Sequence, residues 1–342
     1  MIVLTDGHID ANTAKTAICA LRYRPEEIVA VLDSTAAGRT CGQVLGVGGE
    51  IPIVAALEEA SEANTLLIGI APPGGKIPAP WRAIVLDAIA RKMNVVAGLH
   101  DLLQDDEQFV SAAAQHGVRL VDLRVSSITD VAQRQGIRDD CLRIHTVAND
   151  CSCGKMVAAM ELALGLKQAN VHAKFVATGQ TGVVVSGSGL AIDRVIADFV
   201  SGAAEGLVLD HQDADVIVVE GQGSLFHPRY SGVTLGLLHG VMPDGLIVAY
   251  EMGRTAVYGM PEIPLPPLND VIDFYTSAAN IMHPCRVIGI AVNGKGYDDD
   301  EVAAECDRVE REFGIPSCDV IRHGSEKLVQ ATLELKGEIG KR

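Results

Sequence analysis

The sequence predicts an α/β protein of two domains built on parallel sheets, with its chemistry centred on a phosphate-binding loop at residues 149–155. Three observations carry that prediction. Short apolar runs alternate with amphipathic stretches from end to end, the pattern of strands joined by right-handed helical crossovers. Aromatic residues make up only 4% of the chain, so the core must be built from Val, Ile, Leu and Ala, which suits sheets covered by helices on both faces. Finally, the run Asn-Asp-Cys-Ser-Cys-Gly-Lys stands between a strand pattern and a helix pattern, the context that a phosphate loop requires.

The composition narrows the function. A chain of 342 residues holds two ordinary domains, and 48% apolar against 21% charged residues describes a globular protein. A net charge of −16 with no basic stripe argues against a nucleic-acid partner. Small molecules are the expected partners, with local Arg and Lys residues making any anion site. The apolar runs are far too short to span a bilayer, so no membrane association is expected. Eight cysteines without paired spacings, and a start that runs straight into a strand, lead us to expect free thiols and a cytoplasmic location. An assembly of identical subunits is also expected.

In chain order, strands are expected at 2–4, 28–32, 66–71, 95–97 and 119–123, with helices at 14–23, 81–92 and 105–116. The segment 122–140 is polar and carries little strand signal. It places a boundary near residue 135, between a first domain of 1–135 and a second of 136–342. The alternation then restarts. Strands are expected at 142–147, 171–177, 216–219, 246–249 and 287–292, and helices at 155–168, 192–204, 270–282 and 301–313. The proline-rich run 260–267 reads as an extended loop.

The residues able to carry chemistry cluster in the second half. Asn149, Asp150, Cys151, Ser152, Cys153, Gly154, Lys155 and Met156 form the cofactor-binding loop. Backbone N–H groups at the helix start converge there, and the Lys155 ammonium adds a mobile charge. Two positions depart from the usual loop. Ala148 replaces its first glycine, and Met156 replaces the Ser or Thr whose hydroxyl ligates Mg²⁺ beside a nucleotide. Such a loop suits a diphosphate better than metal-assisted NTP hydrolysis.

Glu220 closes the apolar run 215–220 and is followed by glycines, so it should face the ligand crevice as a metal holder or general base. His227, on the loop that follows, has the ordinary pKa for proton transfer, although a packed histidine is an equal reading. Backbone N–H groups near 221–223 are available for an oxyanion. The stretch 177–189 reads as a glycine-rich substrate loop offering Thr178, Gln180 and Thr181. Arg194, Arg229 and Arg254 are the cations available for substrate carboxylates. Cys151-x-Cys153 near His145 falls short of a zinc pattern, so no metal is assigned, while Cys151 at a helix start, where thiol pKa falls, is a possible nucleophile. The first domain lacks a dinucleotide fingerprint, and its 71–76 segment with Trp81 and Arg82 reads as loops at a sheet switch point.

The joint pattern of 149–156, 177–182, Ile192-Asp193, 198–200, 220–228 and 230–236, with 34–52 and 69–82 in the first domain, resembles a bacterial and archaeal family long labelled as of unknown function. Its members are regarded as D-glutamate N-acetyltransferases of the DgcN type. The resemblance implies a Rossmann-like N-terminal domain and a P-loop NTPase-like C-terminal domain similar to dethiobiotin synthetase. It also implies acetyl-CoA as co-substrate and an amino acid, D-glutamate, as acceptor. An attacking amine needs a base to take its proton, and Glu220 or His227 could serve. The alternatives are an ATP-dependent carboxylate ligase or kinase of dethiobiotin synthetase type using ATP and Mg²⁺, and a non-catalytic nucleotide-binding protein. Met156 counts against the first.

Overall fold

The structure, a computed structural model, describes residues 1–10 and 13–340. By its internal contacts the chain divides into two units, Met1–Val125 with Val183–Ala191, and Ser126–Gly182 with Ile192–Arg342.

The first unit is a six-stranded parallel sheet of β1 (Ile2–Leu4), β2 (Ala30–Leu32), β3 (Ile53–Val54), β4 (Thr65–Ile68), β5 (Asn94–Ala97) and β6 (Leu120–Asp122), in the order β3-β2-β1-β4-β5-β6. That is the doubly wound Rossmann order, reversing between β1 and β4. Alternation along β1 sends Ile2 and Leu4 to one face, where they pack with Trp81, Val85 and Ile89 of α3 (Trp81–Ala90) and Phe109 of α4 (Glu107–His116). Val3 faces the other side, against Ala17 and Leu21 of α1 (Lys15–Tyr23) and Cys41 of α2 (Cys41–Leu45). Asp106 starts α4 by accepting the N–H groups of Gln108 and Phe109. β3 escapes sequence reading because two residues are too few to show a period.

The second unit holds β7 (Leu142–Ala148), β8 (Ala173–Val176), β9 (Val216–Val219), β10 (Gly245–Glu251), the antiparallel ribbon β11 (Ala256–Val257) and β12 (Met260–Pro264), β13 (Arg286–Asn293) and β14 (Ser317–Cys318). The six strands outside the ribbon form a parallel sheet ordered β14-β13-β10-β7-β9-β8. β7 lies inside it and is buried along its whole length, so its polar residues take partners within the fold: Arg143 pairs with Asp244, His145 Nδ1 meets the Val219 carbonyl and Thr146 Oγ1 accepts the Gly221 N–H. The helices are α5 (Lys155–Gln168), α6 (Gln180–Ser186), which crosses from one unit's segment to the other's, α7 (Val200–His211), α8 (Ser231–Val241), α9 (Leu268–Asn280), α10 (Asp299–Phe313) and α11 (Glu326–Ile339). Among the described residues no helix is long and apolar enough to cross a membrane.

The structure corrects three expectations. The glycine-rich stretch 177–189 is not a flexible loop, for Gln180–Ser186 is helical. A carboxylate far along the chain, Glu220, accepts the N–H groups of Thr178 and Gly179 just ahead of it, which local sequence cannot reveal. The expected helix 192–204 is broken into two short 3₁₀ turns before α7, because Ile192 N–H bonds the Thr178 carbonyl and Ile196 is extended. In the proline run, Met260–Pro264 pairs as a ribbon strand, with prolines where no ladder donor is needed. The contact-defined units divide at Val125–Ser126, against an expected domain boundary near 135. The polar segment between them is tied to the second unit, where Gln133 and Arg134 give their backbone N–H groups to Glu205.

At the start of β7, Arg143 forms a buried pair with Asp244, which precedes β10, through Nη2–Oδ1 at 2.9 Å and Nε–Oδ2 at 3.1 Å. His283 Nε2 lies 2.7 Å from Oδ1. Burial would raise the Asp244 pKa, but His283 and Arg143 together hold it below the ordinary carboxylate value. Its stabilising contribution is therefore present above the unfolded-state pKa and lost as pH falls through the lower folded value. Asp244→Asn should cost about 3–5 kcal/mol, the range for breaking a buried pair, measured by urea unfolding at neutral pH. The gap between variant and parent should close on strong acidification.

Candidate active site

β7 ends at Ala148 and the chain turns through 149–154 into α5. The turn needs left-handed backbone at Ser152 (φ 58°) and Gly154 (φ 99°), which leads the loop into the start of α5. The fully buried Asp150 carboxylate holds the loop from behind. Its Oδ1 accepts the Cys151 N–H at 2.7 Å, and its Oδ2 accepts the Tyr258 N–H at 2.7 Å and Arg254 Nη1 at 3.0 Å. Arg254 Nη1 also donates to the Cys151 carbonyl at 2.7 Å, and its Nη2 to Glu251 at 2.6 Å. The β10–β11 connection is thereby strapped to the loop. Tyr275 secures the strand end, its hydroxyl donating to the Ala148 carbonyl and accepting the Leu225 N–H.

Lys155 is buried, with Nζ donating to the Asp150 carbonyl at 2.9 Å. Burial lowers its pKa, against the opposing pull of Cys153, Cys151, Asp150 and Glu220. Asn149 is also buried, accepting from the Cys153 thiol. The thiols of Cys151 and Cys153 are both raised, chiefly by burial. The expected fall in the Cys151 pKa does not occur, because desolvation outweighs Lys155 and Arg254. Met156, half-buried in the first turn of α5, offers a thioether where a Mg²⁺ ligand would need a hydroxyl.

Glu220 follows β9, and its backbone N–H continues the pairing with β8 at the Val176 carbonyl. Its carboxylate is buried, accepting from Thr178 N at 3.0 Å, Gly179 N at 3.1 Å and Gln222 Nε2 at 3.1 Å. Burial outweighs these bonds and the nearby Lys155 charge, and pushes its pKa up to about 7. Two glycines make the approach possible. A Cβ on Gly182 would fall 2.2 Å from Glu220 Oε2, and one on Gly221 would fall 1.7 Å from the Thr146 carbonyl and 3.0 Å from Lys155 Cδ. The stem of Lys155 therefore runs directly over the residue after Glu220.

His227 is buried, its Nδ1 accepting the Arg229 N–H and its Nε2 facing the Tyr258 carbonyl, each at 3.2 Å. Those partners assign the proton to Nε2. A ring nitrogen, the Cys151 sulfur and an Asp150 oxygen lie within 4.8 Å of one another. Such a donor set can hold zinc. Here, however, the carboxylate is committed to Arg254 and two backbone donors, and both ring nitrogens are committed to backbone. Lys155 and Arg254 add positive charge, so a cation is disfavoured.

The structure thus gathers Asn149–Met156, Glu220, His227, Thr178 and Arg254 at the ends of β7, β8, β9 and β10. The side chains differ in what surrounds them. Thr178 is fully buried and spends its hydroxyl on the Glu220 carbonyl at 2.7 Å. Gln180 and Thr181 lie in the first turn of α6. Arg254 is held by Asp150 and Glu251, whereas Arg194 and Arg229 are exposed. The Gly221 N–H is taken by Thr146 Oγ1 at 2.9 Å and is not free for an oxyanion. Tyr258 and Tyr275 went unnoticed in the sequence, since each acts through a partner distant along the chain, whereas Gln222, bonded to Glu220 two residues before it, was given no role of its own within the 220–228 motif.

Residues 130–329 match the DUF1611 family model, described as a domain of unknown function with a P-loop domain, and residues 34–126 match DUF1611_N, described as a Rossmann-like domain. A curated D-glutamate N-acetyltransferase from Pseudoalteromonas sp. is 40% identical over 268 residues, 78% of this chain and 80% of that protein. Another, from Tritonibacter scottomollicae, is 37% identical over 327 residues, covering 94% and 95%. The crystal structure of a DUF1611 family protein from Anabaena variabilis superimposes with a TM-score of 0.92 at 34% identity, covering 97% of this chain and 98% of that one.

A raised carboxyl pKa costs stability. Between the ordinary value of 4.5 and about 7, the unfolded chain loses the proton that folded Glu220 keeps, so its penalty grows across that window and is constant above it. Glu220→Gln, with the Gln222 amide free to flip, should relieve up to about 3 kcal/mol above pH 7 and nothing near pH 4. Denaturant unfolding at both pH values reads this. A variant that is less stable at both would show that lost hydrogen bonds outweigh the relief of the buried charge.

Proposed function

This chain belongs to the DUF1611 family, and from that premise we propose that it is a D-glutamate N-acetyltransferase, moving the acetyl group of acetyl-CoA onto the amino group of D-glutamate. The observation that carries the proposal is Glu220, a buried carboxyl at a strand end, titrating at about 7 beside the ammonium of Lys155. An amine is mostly protonated at neutral pH and cannot attack until it loses a proton. A carboxylate with a pKa near the working pH is suited to take it. Its three hydrogen bonds keep it in place while still leaving lone pairs for an ammonium donor.

In this reading the amine, freed by Glu220, attacks the thioester carbonyl. The tetrahedral species collapses with cleavage of the C–S bond, the departing thiolate takes the second proton that the nitrogen loses in becoming an amide, and Glu220 returns the first to solvent. Backbone N–H groups of the loop and the Lys155 ammonium supply positive potential for the anionic groups gathered there. Arg229, exposed two residues after His227, meets the acceptor's side-chain carboxylate in this reading. His227, with both ring nitrogens engaged by backbone, positions the 227–230 segment rather than accepting the proton. Met156 in place of a hydroxyl removes the Mg²⁺ ligand that an ATP-dependent ligase needs, and acyl transfer from a thioester has no use for it.

Several measurements test this. N-acetyl-D-glutamate should form from D-glutamate and acetyl-CoA in the presence of EDTA. The rate should rise with pH along a limb with an apparent pKa of about 7. Glu220→Gln should lower kcat by about 10²–10⁴-fold and abolish that limb, while His227→Ala should lose less. Mg²⁺-dependent ATP hydrolysis stimulated by a carboxylic acid would replace this reading with the ligase.

A further inference from the structure

Where the two substrates lie is constrained by the closeness of Lys155 and Glu220. The lysine stem passes over Gly221, and the two buried charged groups feel each other electrostatically. Whatever anion the loop and Lys155 hold is therefore a near neighbour of the base. In CoA, thirteen bonds separate the inner phosphorus of the diphosphate from sulfur, about 15 Å when extended at the roughly 1.2 Å per bond of an extended chain. A diphosphate seated on Lys155 would carry its thioester well away from Glu220. Only a pantetheine arm folded back on itself would return the thioester to Glu220 from there, at a cost in conformational entropy. In an α-amino acid, by contrast, carboxylate and amine share one carbon.

Charge leads to the same assignment independently. Lys155 and Arg254 are the cations bonded to the loop itself, with Arg229 standing exposed on the segment after His227, and Asp150, Glu251 and Glu220 are the carboxylates set against that pair. Two cations against three carboxylates leave no surplus positive charge for a multiply charged diphosphate, and Met156 removes the usual means of bringing Mg²⁺ to neutralise it. An amino-acid head group carries both signs and needs one partner of each, which Lys155 and Glu220 supply.

Resting on the acetyltransferase reading, we infer that the phosphate loop is the receptor for the α-carboxylate of the acceptor amino acid, with Glu220 facing its amine, and that the diphosphate of CoA binds outside the loop. Lys155 is then a specificity-determining residue for the acceptor.

The test is the split between the two Michaelis constants. Lys155→Ala and Lys155→Met should each raise KM for D-glutamate about 10- to 100-fold, the loss of a charge-assisted hydrogen bond, with KM for acetyl-CoA changed less than about twofold on the same warrant. On the unmodified enzyme, which needs no variant to fold, saturating D-glutamate should protect Lys155 from an amine-modifying reagent, read by peptide mass spectrometry, and CoA should not. A rise confined to the acetyl-CoA KM, or protection of Lys155 by CoA and not by D-glutamate, overturns the assignment while leaving the acetyltransferase standing. Failure of the unmodified enzyme to make N-acetyl-D-glutamate overturns the function itself, and the assignment with it.

Discussion

A fully buried carboxylate must be satisfied on every side, and Asp150 meets that demand by organising its surroundings. One oxygen takes the N–H of the next residue and so shapes the loop. The other draws in Arg254 and the backbone of Tyr258 from a connection more than a hundred positions away. An unpaired buried charge costs several kcal/mol, so loop, arginine and ribbon form as one unit or not at all. Arg254 reads in the sequence as a free cation, yet its charge is consumed in this way, and Glu251 takes what remains. The loop that results is stiff without carrying excess positive charge.

Glu220 shows the opposite balance. Its hydrogen bonds from Thr178, Gly179 and Gln222 all favour the ionised form, yet desolvation outweighs them. The fold carries an energetic penalty at neutral pH for holding this group, and a group kept on those terms has a pKa useful for catalysis. The same carboxylate links the ends of β8 and β9 and receives the donors ahead of α6. Position and reactivity therefore come from the same contacts. Gly182 and Gly221 allow the backbone to come this close, since a side chain at either would collide with Glu220 or with the Thr146 carbonyl.

The loop illustrates how a shared backbone shape leaves the choice of ligand to a few side chains. A strand, a turn with left-handed residues and a helix start supply N–H groups to any anion. Which anion is accepted depends on the first-turn residue, here Met156, and on the sum of nearby charges. In this chain both argue against a metal-bound nucleotide, and the closeness of Lys155 to Glu220 favours an anion that carries an amine beside it.

The sequence by itself determined the strand–helix alternation, most strand positions, the loop from Asn149 to Lys155 and the strand-end position of Glu220, because each is written in adjacent residues as periodicity, a turn or a carboxylate closing an apolar run. α5 is an example: its apolar run, opened by Gly154-Lys155, gives its limits directly. Only the tertiary structure decided what depended on partners far along the chain. α6 replaced a supposed flexible loop because Glu220 holds the donors ahead of it, Arg254 became structural through Asp150, and the Cys151 thiol was raised rather than lowered by burial. Local pattern reports backbone preference and amphipathicity. Desolvation and charge pairing depend on which groups folding brings together, and that information is not contained in any short stretch of sequence.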